Sequence, residues 1–187
     1  KATGALTEDG TSPLAATRLQ DNGSISFSDR DFSDTSGVGH AFVAAVASNG
    51  AAVSSDLLAA LQDLSSTFTI TGDGVGFAAR NGTINWSFDL DNALTQYLGA
   101  GQSVTVTYRI DVLDDSSIST SSPGDEPALS SQNVVITLSG TNDVPIFNSA
   151  NQTVFTQAGS EDLGYTISEA ELLAGYSDTD TTDVLHV

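Results

Sequence analysis

The stretch VTVTYRIDV, residues 104–112, decides the fold class of this chain. Its apolar side chains alternate with polar or charged ones, so a β-strand here would direct one set to a core and the other to solvent. Other apolar and β-branched stretches on both sides are separated by Gly, Asn, Asp and Ser, which favour turns. Eight or nine short strands with this alternation predict an all-β chain folded as an antiparallel β-sandwich.

Nine segments have the composition of strands, at residues 3–7, 13–18, 24–28, 39–47, 66–71, 75–80, 83–89, 103–113 and 131–139. The clearest hairpin joins GFAAR (76–80) to TINWSF (83–88) through Asn81-Gly82. Asn-Gly is the preferred pair for a type I′ turn, because both central residues need positive φ. We therefore expect a tight turn at these two residues.

Short helices interrupt the strands. Ser54 or Ser55 is a suitable N-cap for a helix through Leu64, which places leucines on one stripe at positions 57, 58, 61 and 64. A second helical turn is expected over residues 91–98, ending at Gly99. Near the C-terminus, Ser168 and Glu171 have the spacing of a capping box.

The composition limits the classes of partner. The net charge is −19, with five Lys and Arg residues in 187. Such a surface repels nucleic acid and anionic lipid, so neither is expected as a partner. No apolar run is long enough to insert into a membrane, and the absence of cysteine excludes disulfides and thiolate metal sites. An acidic surface adapted to salt is the alternative explanation of this charge.

An acidic pattern, S-D-x-D-x-x-D, occurs twice. It reads SDRDFSD at residues 28–34 and SDTDTTD at 177–183, and a Glu-Asp pair precedes each copy. A repeat separated by about 150 residues indicates one complete structural unit and the start of a second. GTNDVP at 140–145 has the turn and strand-breaking residues of a short junction, which predicts a complete unit over 1–143 and a partial one over 144–187.

Carboxylates that alternate at i and i+2 can converge on one hard cation. If the strands alternate in direction, a junction site would combine residues from the base of the first unit, the linker and the top of the second unit. These ligands are Glu8 or Asp9, then Asn142 and Asp143, then Asp178 and Asp180. The other copy, Asp29, Asp31 and Asp34, would face a preceding unit.

Calcium is the cation that suits these groups. Ca²⁺ takes six to eight oxygen ligands with flexible geometry, whereas Mg²⁺ requires a tight octahedron and zinc prefers His or Cys. Solvated turn acids without any metal are the alternative. His40, His186 and the Asp89/Asp91 pair are explained more simply by structural roles than by catalysis, so we do not expect an enzyme.

Several motifs occur in an order that resembles a known family. They are TEDG (7–10), SDRD (28–31), LDNA through LGAG (90–101), the strand at 104–114 and GTNDVP (140–145). Together they resemble the VCBS type of cadherin-like tandem repeat, found in large RTX-type bacterial surface adhesins. The tail, ISEAELLA (167–174) followed by SDTD (177–180), resembles the start of a related repeat.

The resemblance implies a cadherin-like sandwich and a function. We expect a non-enzymatic extender repeat, made rigid by calcium, in a secreted adhesin that serves cell adhesion and biofilm formation. Its partners would be the neighbouring repeats, its location the cell surface, and its export route type I secretion. The 54–64 helix and the Ser116–Ala128 loop depart from the family pattern and leave an alternative open, a calcium-dependent module that binds a surface glycan or a protein or peptide ligand.

Overall fold

The computed structural model describes residues 2–9, 17–28, 36–72, 81–114, 129–154, 159, 161–162 and 164–187. The strands are β1 (Thr3–Thr7), β2 (Arg18–Ser28), β3 (Ser36–Ala47), β4 (Phe68–Gly72), β5 (Asn81–Asp91), β6 (Ser103–Asp114), β7 (Leu129–Ser139), β8 (Ile146–Phe147) and β9 (Tyr176–Ser177). The α-helices are α1 (Ser55–Gln62) and α2 (Glu169–Leu172), and 3₁₀ turns span Asn92–Leu94 and Ser149–Asn151. Within these ranges no helix has the length and apolarity needed to cross a membrane.

The strands form two sheets that enclose one core, as the sequence predicts. One sheet has the order β1-β7-β6-β3 and the other β2-β5-β4. The neighbouring strands are antiparallel, except that β1 pairs with β7 in parallel. The remaining strands, β8 and β9, pair only with each other in a separate two-stranded sheet.

The alternation in residues 104–112 corresponds to the observed core. Val104, Val106, Tyr108 and Ile110 are all buried on the inner face of β6. The ring of Tyr108 stacks on Phe68 from the opposite sheet, with centroids 4.0 Å apart. Aromatic contacts of this kind join the two sheets by apolar burial, which is the main stabilising force in a sandwich.

Helix α1 closes part of this core. Ser54 is its N-cap and accepts a hydrogen bond from the backbone of Leu57, as expected from the sequence. Leu57 and Leu61 are fully buried, and the hydroxyl of Tyr108 donates to the carbonyl of Leu61 at 2.8 Å. The helix ends at Gln62, two residues earlier than predicted.

The predicted turn at Asn81-Gly82 is wrong. Both residues belong to β5, where Asn81 pairs with Ser28 and Gly82 with Phe27. Pairing with the end of β2 extends the strand through these residues, and such tertiary pairing outweighs a local turn preference. The predicted strand at 75–80 and most of the one at 13–18 lie outside the described residues.

Candidate metal centre

The parallel pairing of β1 with β7 defines the position of the candidate site. It places Thr7 opposite Ser139, so both strands end at the same edge of the sheet. The next backbone amide, that of Glu8, continues the ladder by donating to the carbonyl of Ser139 at 3.0 Å. Glu8 and the linker after β7 therefore begin side by side, as the direction of the strands predicts.

Glu8 is a buried carboxylate, only 3% exposed, that is held by hydrogen bonds from two segments. Its Oε1 accepts from the amide of Thr141 at 2.6 Å and from the hydroxyl of Thr141 at 2.9 Å. Its Oε2 accepts from the side-chain amide of Gln96 at 2.5 Å. These bonds fix Glu8 between the linker and the turn that follows β5.

Asp9 lies beside Glu8 and is held by side-chain donors. Its Oδ1 accepts from the side-chain amide of Asn92 at 2.6 Å, and its Oδ2 accepts from the hydroxyl of Thr17 at 3.0 Å. Asn92 is buried, whereas Asp9 is half-buried. Of the two predicted acids of the first unit, Glu8 is the one that is bonded to the linker, and Asp9 is held beside it by the turn after β5.

The linker meets the second acidic pattern directly. Asp143 and Asp180 are each 2% exposed, and the amide of Asp143 donates to Oδ2 of Asp180 at 2.9 Å. The amide of Asp180 in turn donates to Oδ1 of Asp178 at 3.0 Å. Because Asp143 and Asp180 are buried, these two acids are not solvated turn residues.

Asp183 joins this group, although the sequence analysis does not select it as a ligand. Carboxylate oxygens of Asp178, Asp180 and Asp183 lie within 4.8 Å of one another, a spacing that one cation can bridge. The signal was present in the sequence, since Asp183 is the third acid of the S-D-x-D-x-x-D pattern.

The loop that carries these acids also contacts the sandwich through neutral groups. The hydroxyl of Thr181 donates to the carbonyl of Tyr97 at 3.3 Å, and the side-chain amide of Gln102 donates to the hydroxyl of Thr182 at 2.9 Å. Gly99 lies against Asp180, because a Cβ at this glycine would be 3.4 Å from the carboxyl carbon. The loop is thus seated on the turn between β5 and β6.

Burial and neighbouring negative charges raise the pKa values of two acids in the cluster. Burial raises the pKa of Glu8, and the negative charges of Asp143 and Asp180 raise it further. Burial also raises the pKa of Asp143, with added repulsion from Asp180, Asp178 and Asp9. A nearby cation would reverse these shifts, because opposite charge favours the ionised form.

Several oxygen atoms of the cluster lack a hydrogen-bond donor. Among the described residues, the buried side-chain atoms without a partner include both carboxylate oxygens of Asp143, Oδ1 of Asp180 and Oε1 of Gln96. Native proteins satisfy most buried polar atoms, so each exception needs an explanation. These four atoms belong to three residues around one junction, and the hydroxyl of Tyr97 is a fifth buried atom without a partner among the described residues.

Ca²⁺ takes oxygen ligands from carboxylates and from side-chain amides, at about 2.3–2.6 Å. The unpartnered oxygens of Asp143, Asp180 and Gln96 are of these two types. They are therefore candidate ligands of a cation at this junction.

The remaining predicted ligands are less closely involved or cannot be placed. Asn142 is exposed, and its side-chain amide donates to the carbonyl of Asp143 at 2.5 Å. Asp29, Asp31 and Asp34 lie outside the described residues, so the predicted second site stays a prediction. Ser28 is the last residue of β2 and precedes Asp29 in the sequence. The other end of β2 is Arg18, which pairs with Asp91 next to the junction, so Ser28 lies at the end of the strand that is far from the junction.

Three residues of the types used in sugar binding or catalysis have structural contacts instead. Trp86 is 1% exposed and stacks on Phe68 within the core. Asp89 forms an ion pair with Arg18 at 2.5 Å, and these interactions lower its pKa against the effect of burial. His40 lies 3.3 Å from the carbonyl of Leu64.

The sequence analysis also did not select Asn92 and Gln96, which contact the acids from the turn after β5. In the sequence, the only indication of their role was that both lie in the stretch from LDNA to LGAG. This stretch is predicted to form a turn, and turn residues are ordinarily exposed to solvent. Comparison with known proteins adds no assignment, since no family model matches the chain and no curated protein matches it.

Proposed function

We propose that this chain is a calcium-rigidified extender repeat of a large secreted bacterial adhesin, without enzymatic activity. The sandwich over 1–143 is the repeat, and 144–187 is the first part of the next cadherin-like unit. Calcium binds at their junction, and the protein acts outside the cell after type I secretion. The observation that carries this proposal is the set of buried, unpartnered carboxylate oxygens of Asp143 and Asp180.

The mechanism follows from electrostatics. Without a cation, Glu8, Asp143 and Asp180 place several negative charges in a region of low solvent access, where repulsion is stronger than in water. Calcium neutralises this charge and binds groups from both sides of the junction. The cation thereby fixes the angle between the two units, and a series of such junctions produces a stiff, extended array.

The calcium concentration makes this stiffness conditional. Extracellular EF-hand modules bind calcium with dissociation constants of about 10⁻⁴–10⁻³ M, whereas cytosolic sensors bind far more tightly. A junction of extracellular affinity is loaded outside the cell and empty in the cytosol. The array is therefore mobile before export and rigid afterwards.

The alternative function, binding of a glycan or peptide ligand, has less support. Helix α1 directs Leu57 and Leu61 into the core, so its apolar stripe is used for packing. Trp86 is also buried, so its ring is not available to stack on a sugar. The Ser116–Ala128 loop lies outside the described residues.

Small-angle X-ray scattering tests the proposal. The maximum dimension and the profile of the chain should change when calcium is replaced by chelator, because the junction loses its restraint. Asp56→Asn is a control for the loss of one negative charge, since Asp56 is exposed in the first turn of α1. This variant should show the same response to calcium as the unmodified chain. A profile that is the same in calcium and in chelator contradicts the proposal.

A further inference from the structure

The turn after β5 has polar side chains in unusual positions. Asn92, Thr95 and Gln96 are 1%, 0% and 3% exposed, although they belong to a short irregular segment. Thr95 donates to the carbonyl of Asn92 at 2.8 Å, and Asn92 donates to Asp9. Polar groups are buried at a cost unless they are bonded, so this turn is built around specific partners.

The orientation of the Gln96 amide is determined by its neighbours. Its Nε2 lies 2.5 Å from Oε2 of Glu8 and 3.2 Å from the backbone carbonyl of Asp9. Both of these atoms are acceptors, so the group that faces them must be the NH₂ donor. The other atom of the amide is therefore the carbonyl oxygen, Oε1.

This oxygen is in an unsatisfied position. Oε1 of Gln96 is buried and has no hydrogen-bond partner among the described residues. It belongs to the same planar amide as the nitrogen that contacts Glu8, so it lies beside the groups that hold this carboxylate. Among the described residues, the other buried side-chain oxygens without a partner belong to Tyr97, Asp143 and Asp180.

We propose that Oε1 of Gln96 is a direct, neutral ligand of the cation at this junction, an inference that rests on the proposed function. Calcium accepts Gln and Asn carbonyl oxygens together with carboxylates. The acids around the site already exceed the charge of one divalent ion. A neutral ligand completes the coordination shell without adding to the repulsion, while the NH₂ group of the same side chain orients Glu8.

If Gln96 only positions Glu8, its replacement should not change the number of water molecules bound to the ion. Europium(III) is the probe, because the difference between its luminescence lifetimes in H₂O and D₂O counts the water molecules bound to the ion. In Gln96→Ala a water takes the vacant ligand position, so the count should rise by one. The calcium dissociation constant should rise about tenfold or more, as for other changes at metal sites.

Gln132→Ala is the matched control. Gln132 is exposed on β7, where its side-chain amide donates to the carbonyl of Asn133. The control should bind europium with the same number of waters as the unmodified chain. An unchanged water count in Gln96→Ala overturns the inference and leaves the proposed function intact, whereas failure of the unmodified chain to bind either ion overturns both.

A second variant keeps the test decisive if Gln96→Ala does not fold. Gln96→Glu retains an oxygen at the ligand position and nearly the same volume, but it loses the NH₂ donor. If the oxygen is a ligand, calcium should raise the melting temperature of this variant by more than it raises that of the unmodified chain. A smaller rise means that the donor function is the important one, and it contradicts the inference.

Discussion

Replacing Asp143 by asparagine should have opposite effects on two properties that can be measured separately. Asp143 is 2% exposed, its carboxylate oxygens have no hydrogen-bond donor to lose, and burial and neighbouring acids raise its pKa. Asparagine has the same shape without the charge. In chelator the variant should be more stable than the unmodified chain, because one member of a repelling group is removed.

The size of this gain can be estimated from the geometry. The backbone amide of Asp143 donates to the carboxylate of Asp180 at 2.9 Å, so the two residues are neighbours, and a separation on the order of 5 Å between their carboxylates sets the scale of the repulsion. Coulomb repulsion at that separation is about 1–3 kcal/mol for effective dielectric constants between those of water and a protein surface. For a chain of this size, about 2–4 °C per kcal/mol gives a rise in melting temperature of roughly 2–12 °C.

Calcium should stabilise the variant less than the unmodified chain. At a calcium concentration of 100 times the dissociation constant, binding stabilises the folded state by about 2.7 kcal/mol. If the loss of a charged ligand weakens binding about 100-fold, the same concentration contributes only about 0.4 kcal/mol. The calcium-induced rise in melting temperature should therefore shrink by roughly 5–9 °C.

Differential scanning calorimetry in calcium and in chelator measures both effects. Asp56→Asn provides the same change in charge at an exposed position of α1, and its calcium-induced rise should equal that of the unmodified chain. The reasoning is refuted if Asp143→Asn melts at a lower temperature in chelator, or if its calcium-induced rise is undiminished.

Three further predictions concern the junction and the core. Gly140→Ala should be strongly destabilising, by about 3 kcal/mol or more in urea unfolding, because its Cβ would lie against the backbone carbonyl of Leu98. Gly37→Ala should be nearly neutral, because no atom of the described residues lies within 4 Å of its Cβ. Similar losses in both variants would contradict the packing described. Tyr108→Phe should cost about 1–3 kcal/mol in the same assay, since it leaves a buried carbonyl of α1 without its donor, and a neutral result would show that this hydrogen bond has no net value. In chelator the melting temperature should rise as the pH falls through the raised pKa of Asp143, because the folded state then binds protons more readily than the unfolded state; this stability is lost again as the pH rises through the folded pKa. Calcium should remove or reverse the trend, because protons compete with the metal. A melting temperature in chelator that does not rise at any pH between neutrality and the ordinary pKa of Asp would contradict this prediction.

Much of the fold could be predicted because alternation of side chains reflects burial on two faces. The alternation in β6, the N-cap at Ser54 and the capping box at Ser168 all depend on local chemistry, and each is observed. The prediction of a turn at Asn81-Gly82 failed because β5 continues through these residues by pairing with β2. Such pairing is not a local property of the sequence. The two-residue strands β8 and β9 are too short to produce an alternating pattern.

The candidate site was predictable in part for a similar reason. Strand direction placed Glu8, Asp143 and Asp180 together, and their contacts through the linker are observed. Gln96 was not found because nothing in a single sequence distinguishes a buried amide in a turn from an exposed one. Its position becomes clear only when β5 and β1 are assembled and the turn is seen to face Glu8.

The most direct test of calcium binding is an anomalous difference map from crystals grown in millimolar calcium. Our account predicts a peak at the junction, about 2.3–2.6 Å from carboxylate oxygens of both Asp143 and Asp180. Calcium should be identified by the wavelength dependence of the peak and by its loss in crystals of Asp143→Asn. A junction without such a peak, with the carboxylates of Asp143 and Asp180 sharing a proton or bound to water instead, would contradict the account.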